Sequence, residues 1–162
     1  MTYSIWLTPS KKDARHLNAI IQNLAKKYDA PKFSAHITVY GGIPSLAKAK
    51  SAVQSLNSGT IKARKIGIGK SDHIWKTLYI RIKKDKKLDT LHKALYNELK
   101  AKYVFLPHIS LIYKKLDNPT KRKIIQTIKT KKSFAFDNMA IIRSSKNVHK
   151  WRVLYCASLG AS

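Results

Sequence analysis

The sequence predicts an α+β fold of largely antiparallel sheet with helices on the outside. Three observations lead there. Short strand-like runs alternate with amphipathic helical runs along all 162 residues. A strand–helix–strand unit occurs twice. The chain closes on two runs that read as a β-hairpin.

Taken in order, residues 3–8 alternate in polarity and read as a strand. Pro9 and Ser10 end it, and Ser10 can cap a helix over residues 11–28, with Leu17, Ile20, Leu24 and Tyr28 on one face. Tyr28-Asp29-Ala30-Pro31 is a break. Residues 35–40 form a strand closed by Gly41-Gly42, which reads as a turn, because no Lys-Ser/Thr follows to make a phosphate loop. Ser45 can cap a second helix with Leu46, Ala49, Val53 and Leu56 inward, and Asn57-Ser58-Gly59 stops it. In residues 60–69 the apolar face changes sides, so a bulge is expected. A strand over 73–82 precedes a helix over about 87–102, bearing Leu88, Leu91, Leu95 and Leu99. Pro107 opens another strand. Asn118-Pro119 has the form of a cap followed by a first helical proline, ahead of Ile124, Ile125 and Ile128. The last runs, 134–143 and 149–159, pair across Ser144-Ser145-Lys146-Asn147. With no linker and no low-complexity segment, residues 1–162 are expected to form one domain, each repeat making a lobe.

The repeat carries the chemistry. Ala35-His36-Ile37-Thr38-Val39 returns as Pro107-His108-Ile109-Ser110-Leu111. In a strand, residues i and i+2 share a face, so each pattern aims one imidazole and one hydroxyl to the same side. The surroundings repeat as well. Leu17, Ile20, Leu24 and Tyr28 return as Leu88, Leu91, Leu95 and Leu99, an offset of 71, while the histidines are offset by 72. A duplicated half with a symmetric site between the copies accounts for this. Two imidazoles and two hydroxyls at one cleft can perform metal-free acid–base chemistry on a phosphate ester. One imidazole takes a proton from water, the other protonates the leaving oxygen, and the hydroxyls donate to the non-bridging oxygens. Asp29 and Asp117, the acidic residues nearest the motifs, lie outside the motif strands, so no metal site and no cofactor is expected. His108 is assigned as the general base and His36 as the general acid, in an order that the symmetry of the motifs leaves open.

Composition sets the setting. There are 33 Lys+Arg against 8 Asp+Glu, a formal net charge of +25, which implies an anionic partner or an unusual cellular setting. The basic residues are scattered, as in Lys83-Lys84-Asp85-Lys86-Lys87, and most read as solvated faces. The lone Cys156 excludes an intramolecular disulfide and is expected as a small core residue. Met1-Thr2-Tyr3-Ser4 leads straight into a strand, and no window approaches a membrane span. A cytoplasmic, monomeric protein without membrane contact is the expectation. His16, His73, His92 and His149 read as structural, and Tyr40 is balanced between core and site edge.

The chain resembles the two-histidine (2H) phosphoesterase superfamily, whose signature is a pair of His-x-Thr/Ser motifs on pseudo-symmetric strands. Within it, the chain is most similar to the cyclic phosphodiesterase family, through Tyr3-Ser4-Ile5-Trp6-Leu7, Trp75 through Ile80, Leu106 through Tyr113, and Trp151-Arg152-Val153. The resemblance implies a bilobal fold with a central cleft, His36 and His108 as the catalytic pair, and Thr38 and Ser110 as phosphate ligands. It also implies Trp6, Trp75 and Tyr113 beside the nucleotide. The implied substrates are nucleoside 2′,3′-cyclic phosphates and ADP-ribose 1″,2″-cyclic phosphate, and the implied product is the 2′-phosphate. Lys114 stands where the family has a glycine. Two alternatives remain open. One is an enzyme acting on RNA ends, 2′–5′ oligonucleotides or cyclic dinucleotides. The other is a non-catalytic RNA-binding protein, against which the intact motif pair argues.

Overall fold

The computed structural model describes residues 1–160. Its elements run β1 (Tyr3–Pro9), α1 (Lys11–Tyr28), β2 (Ile37–Ile43), α2 (Leu46–Gln54), β3 (Ile61–Lys70), β4 (Leu78–Ile82), α3 (Lys86–Leu99), β5 (His108–Ile112), α4 (Asn118–Thr127), β6 (Ser133–Arg143) and β7 (Arg152–Ser158). The α+β architecture matches the sequence expectation.

The strand order is β2-β1-β6-β3-β4-β5, with β7 added against β6 and every pairing antiparallel. This order is symmetric about its middle. Each half of the chain has the form β-α-β-α-β, and each exchanges its last strand. β3 pairs with β4 of the second half, β6 pairs with β1 of the first, and β3 meets β6 between them. The two halves are therefore joined by ladder hydrogen bonds. β3 serves both sides of the junction: Ile61–Arg64 pair with β6, and Lys65–Lys70 pair with β4. Its register slips between Lys65 and Gly67, and Gly67 has φ 150°. An L side chain rarely adopts that conformation, so the expected bulge falls on a glycine.

The helices form where their caps and apolar stripes dictate. Ser10, Ser45, Asp85 and Asp117 each accept from a backbone N–H in the first turn of their helix. Leu17, Ile21 and Leu24 of α1 and Leu88, Leu91, Leu95 and Leu99 of α3 are buried in the main core. Asp13 ties α1 to β6 by accepting from the Ala135 N–H and the Lys131 ammonium. Burial alone would raise its carboxyl; these donors outweigh burial and hold it below the usual range.

The structure corrects several local expectations. β4 starts at Leu78, because residues 74–76 form a 3-10 turn in which the Lys76 carbonyl accepts from the Ser71 hydroxyl and the Trp75 N–H donates to His73 Nδ1. The cap of α4 is Asp117, which makes Asn118 the first helical residue and Pro119 the second. Tyr40 belongs to the core: it is fully buried beside His92 and donates to the Ala101 carbonyl. Cys156 is exposed, because its neighbours Tyr155 and Ala157 pack against the main core and the alternation of the strand turns Cys156 to the opposite face. Among the described residues, no helix is long and apolar enough to cross a membrane.

Candidate active site

Both motifs arrive at one cleft of about 770 Å³, lined by His36, Thr38, His108 and Ser110 together with Trp6, Trp75 and Tyr113. All seven residues singled out from sequence therefore share this cavity. His36 lies just ahead of β2 and His108 opens β5.

The two imidazoles are held alike. Nδ1 of His36 is 2.7 Å from the Ser34 carbonyl, and Nδ1 of His108 is 2.7 Å from the Leu106 carbonyl. A carbonyl only accepts, so each Nδ1 carries a proton and donates it. In the neutral ring Nε2 is then the free basic nitrogen. Each ring also meets an aromatic side chain that stands opposite the motif hydroxyl on the neighbouring strand. Trp6 pairs with Thr38 and stacks on His36, and Tyr79 pairs with Ser110 and meets His108 edge-on.

Burial separates the two histidines. His36 is 6% exposed, and its pKa is pushed down to about 4. Burial is the main cause, opposed by the Ser34 hydrogen bond and reinforced by the positive charge of His108. His108 is less buried and is also lowered, first by burial and then by Lys76, against its hydrogen bond to Leu106. The Ser110 hydroxyl donates to the Trp75 carbonyl at 2.9 Å. Tyr113 follows the last residue of β5, so it escapes the strand's alternation and enters the cleft. Burial pushes its phenol up.

Trp151 forms the far wall. Its ring contacts Trp6 and His36 from one half and Trp75 and Tyr113 from the other, and its Nε1 donates to the Ser145 carbonyl. Among the described residues, no group of three or more His, Cys, Asp or Glu side chains is arranged to hold a metal ion.

The family model described as cyclic phosphodiesterase-like protein matches residues 1–159. The chain belongs to this family. It lies within the 2H phosphoesterase superfamily, and family and fold together support phosphodiester hydrolysis as the general chemistry. Solved structures agree on the fold. TT0787 of Thermus thermophilus is 14% identical, with 99% of each chain covered and a TM-score of 0.70. E. coli LigT complexed with ATP is 15% identical, with 98% of this chain and 96% of that chain covered and a TM-score of 0.63. LigT complexed with 3′-AMP is 14% identical, with 98% and 97% covered and a TM-score of 0.63. No curated protein matches the sequence.

In this cyclic phosphodiesterase-like chain, several residues in and around the cleft escaped the sequence reading. Two loops flank the cleft and are themselves a repeat. The Ser71 hydroxyl accepts from the His73 N–H, and His73 Nδ1 accepts from the Trp75 N–H. Ser145 and Asn147 make the same two bonds with the N–H groups of Asn147 and His149. The signal was Ser71-x-His73-Ile74-x-Lys76 against Ser145-x-Asn147-Val148-x-Lys150. Lys121 is 1% exposed and reaches from α4 to the Ser71 carbonyl and the Asp72 carboxylate. It anchors the loop that carries Trp75. Lys114 donates to the carbonyls of Tyr28 and Asp29 at the end of α1, where a cation is favoured.

Proposed function

We propose that this chain hydrolyses nucleoside 2′,3′-cyclic phosphates to 2′-phosphates without a metal, with ADP-ribose 1″,2″-cyclic phosphate as a second substrate. The observation that carries this reading is the matched pair of backbone clamps, which leaves two imidazoles with free Nε2 atoms at one cleft.

In this mechanism a water attacks phosphorus and gives its proton to the neutral imidazole. The other histidine, as imidazolium, protonates the 3′ oxygen as the P–O3′ bond breaks. The imidazole pair ends with its proton exchanged between partners, ready for the reverse transfer through solvent. Thr38 donates to a non-bridging oxygen, and Ser110 joins it by turning its hydroxyl from the Trp75 carbonyl. Burial favours the neutral form of His36, while the less buried His108 holds a proton more readily. This supports His36 as base and His108 as acid, the reverse of the order assigned from sequence.

The net charge of +25 favours a second reading, in which the same chemistry acts on a cyclic phosphate at an RNA end. One experiment tests both: incubation with cyclic mononucleotides, ADP-ribose cyclic phosphate and cyclic-phosphate-ended RNA, with and without EDTA, resolving the product isomers. The expected result is EDTA-insensitive conversion of the mononucleotides to 2′-phosphates. Turnover of RNA alone selects the second reading. No turnover, or chelator loss restored by a divalent ion, overturns the proposal.

A further inference from the structure

We infer that Lys76 is an anion-binding residue of the cleft, gripping the phosphate on the His108 side and preferring a phosphomonoester dianion to the cyclic monoanion. The inference concerns the same cleft as the proposed phosphodiesterase reading and rests on that reading for its ligand class. The fold builds a seat for one ammonium group at this cleft.

The Lys76 ammonium lies over the ring of Tyr79, 4.5 Å from its centroid. The same ring meets His108 edge-on at 5.6 Å. One aromatic side chain therefore sets both the cation and the imidazole, and a cation over a ring face is held by the ring's quadrupole. The seat for that ring is specific. Gly69 stands opposite Tyr79 in the β3–β4 ladder, and a Cβ there would come within 2.5 Å of a ring carbon. Lys76 itself is half-buried and lines the cleft. It makes no salt bridge with a carboxylate among the described residues, whereas Lys121 and Lys131 each do. Among the described residues, no Asp or Glu lines the cleft. The charge of Lys76 is thus directed at the cavity and not at a protein anion.

Attraction to a fixed charge grows with ligand charge. A cyclic phosphodiester carries one negative charge and its phosphomonoester product carries two near neutral pH. Lys76 therefore binds product more strongly than substrate, and the site is prone to inhibition by its own product.

Calorimetric titration with adenosine 2′-monophosphate, adenosine 2′,3′-cyclic phosphate and adenosine tests this on the full chain. The variants are Lys76→Met, Lys76→Arg, Gly69→Ala and Lys12→Met, the last removing an equal charge from an exposed position of α1. The expected result is about a tenfold or greater loss of 2′-monophosphate affinity in Lys76→Met, with a smaller loss for the cyclic ester and none for adenosine. Lys76→Arg keeps the affinity within about threefold and Lys12→Met leaves it unchanged, while Gly69→Ala moves toward the methionine variant. Equal losses for all three ligands, or a Lys76→Met affinity within about twofold of the parent, overturn the inference; so does a parent protein that fails to bind the monophosphate. Turnover of the cyclic ester on the same samples separates the two readings. Lys76-dependent binding without turnover removes the proposed function and leaves the anion site standing. Turnover with Lys76-independent binding does the opposite.

Discussion

The indole of Trp6 lies face to face with the imidazole of His36, ring centroids 3.5 Å apart and planes 5° from parallel. The contact follows from register, since Trp6 stands opposite Thr38, two residues beyond His36. The stack fixes the plane of the ring while the Ser34 carbonyl fixes its rotation. It also occupies one indole face, and Trp6 is only 8% exposed. Trp6 is thus better placed to hold His36 than to stack on a base.

Replacement of Trp6 by leucine is therefore expected to lower kcat by about tenfold and to change KM by less than about threefold, since a misplaced acid or base costs turnover more than binding. Steady-state kinetics on a cyclic mononucleotide checks this. A rise in KM with kcat intact would return Trp6 to a base-binding role.

His36→Ala and His108→Ala are each expected to lose at least about two orders of magnitude in kcat, the usual cost of removing a positioned acid or base. The double variant should be scarcely worse than the worse single one, because the pair acts as a unit. Near-normal turnover by either folded variant would contradict the assignment.

The order of the two roles can be read from leaving-group dependence. An aryl phosphodiester with a phenolate leaving group needs little protonation. The His108→Ala deficit should shrink on that substrate by about tenfold or more, while the His36→Ala deficit persists. The opposite pattern would restore the order first assigned from sequence.

Burial predicts the pH dependence. The proposed mechanism needs the pair to hold one proton, so kcat/KM should be bell-shaped. Its acid limb should lie near 4, from His36, and its alkaline limb below the ordinary histidine value, since His108 is lowered too. Stability follows the same sign. The folded value of His36 is below its unfolded value, so the native state binds fewer protons, and stability present above about 6.5 is lost as pH falls toward 4. The loss is on the order of 3 kcal/mol at most, and His36→Asn should flatten it in urea titrations at a series of pH values.

Salt separates a nucleotide enzyme from an RNA enzyme. Single-stranded RNA loses affinity with log slope of roughly 0.7 per phosphate contact. Only two lysines, Lys76 and Lys146, line the cleft among the described residues. Similar, shallow salt dependence of kcat/KM is expected for a cyclic mononucleotide and for a cyclic-phosphate-ended oligonucleotide. A steep slope that grows with oligonucleotide length would move the protein to RNA ends.

Local encoding explains what could be read early. The helical stripes of α1 and α3 and the caps at Ser10 and Ser45 depend on residues within one or two turns of each other. The boundary errors arose where side chains compete with backbone pairing. Ser71 and His73 bend residues 74–76 into a 3-10 turn inside a run that alternates like a strand. Cys156 lies outside the core because a short apolar run does not reveal which face of its strand meets the core, and Tyr155 and Ala157 take that face. Lys121 could not be picked out from the other basic residues, because the acceptors that bury it lie about 50 positions away in the chain, at Ser71 and Asp72.

The amino-acid sequence by itself determined the α+β class, the doubled strand–helix–strand unit and the two His-x-Thr/Ser motifs, because periodicity and capping act over a few residues. Only the tertiary structure decided that β3 and β6 change places between halves, that Trp6 and Tyr79 meet the two histidines, and that Lys76, unlike most of the scattered lysines, faces the cleft. Those relations depend on which strands pair and in what register. Register is set by packing across the whole sheet, and spacing along the chain carries no record of it.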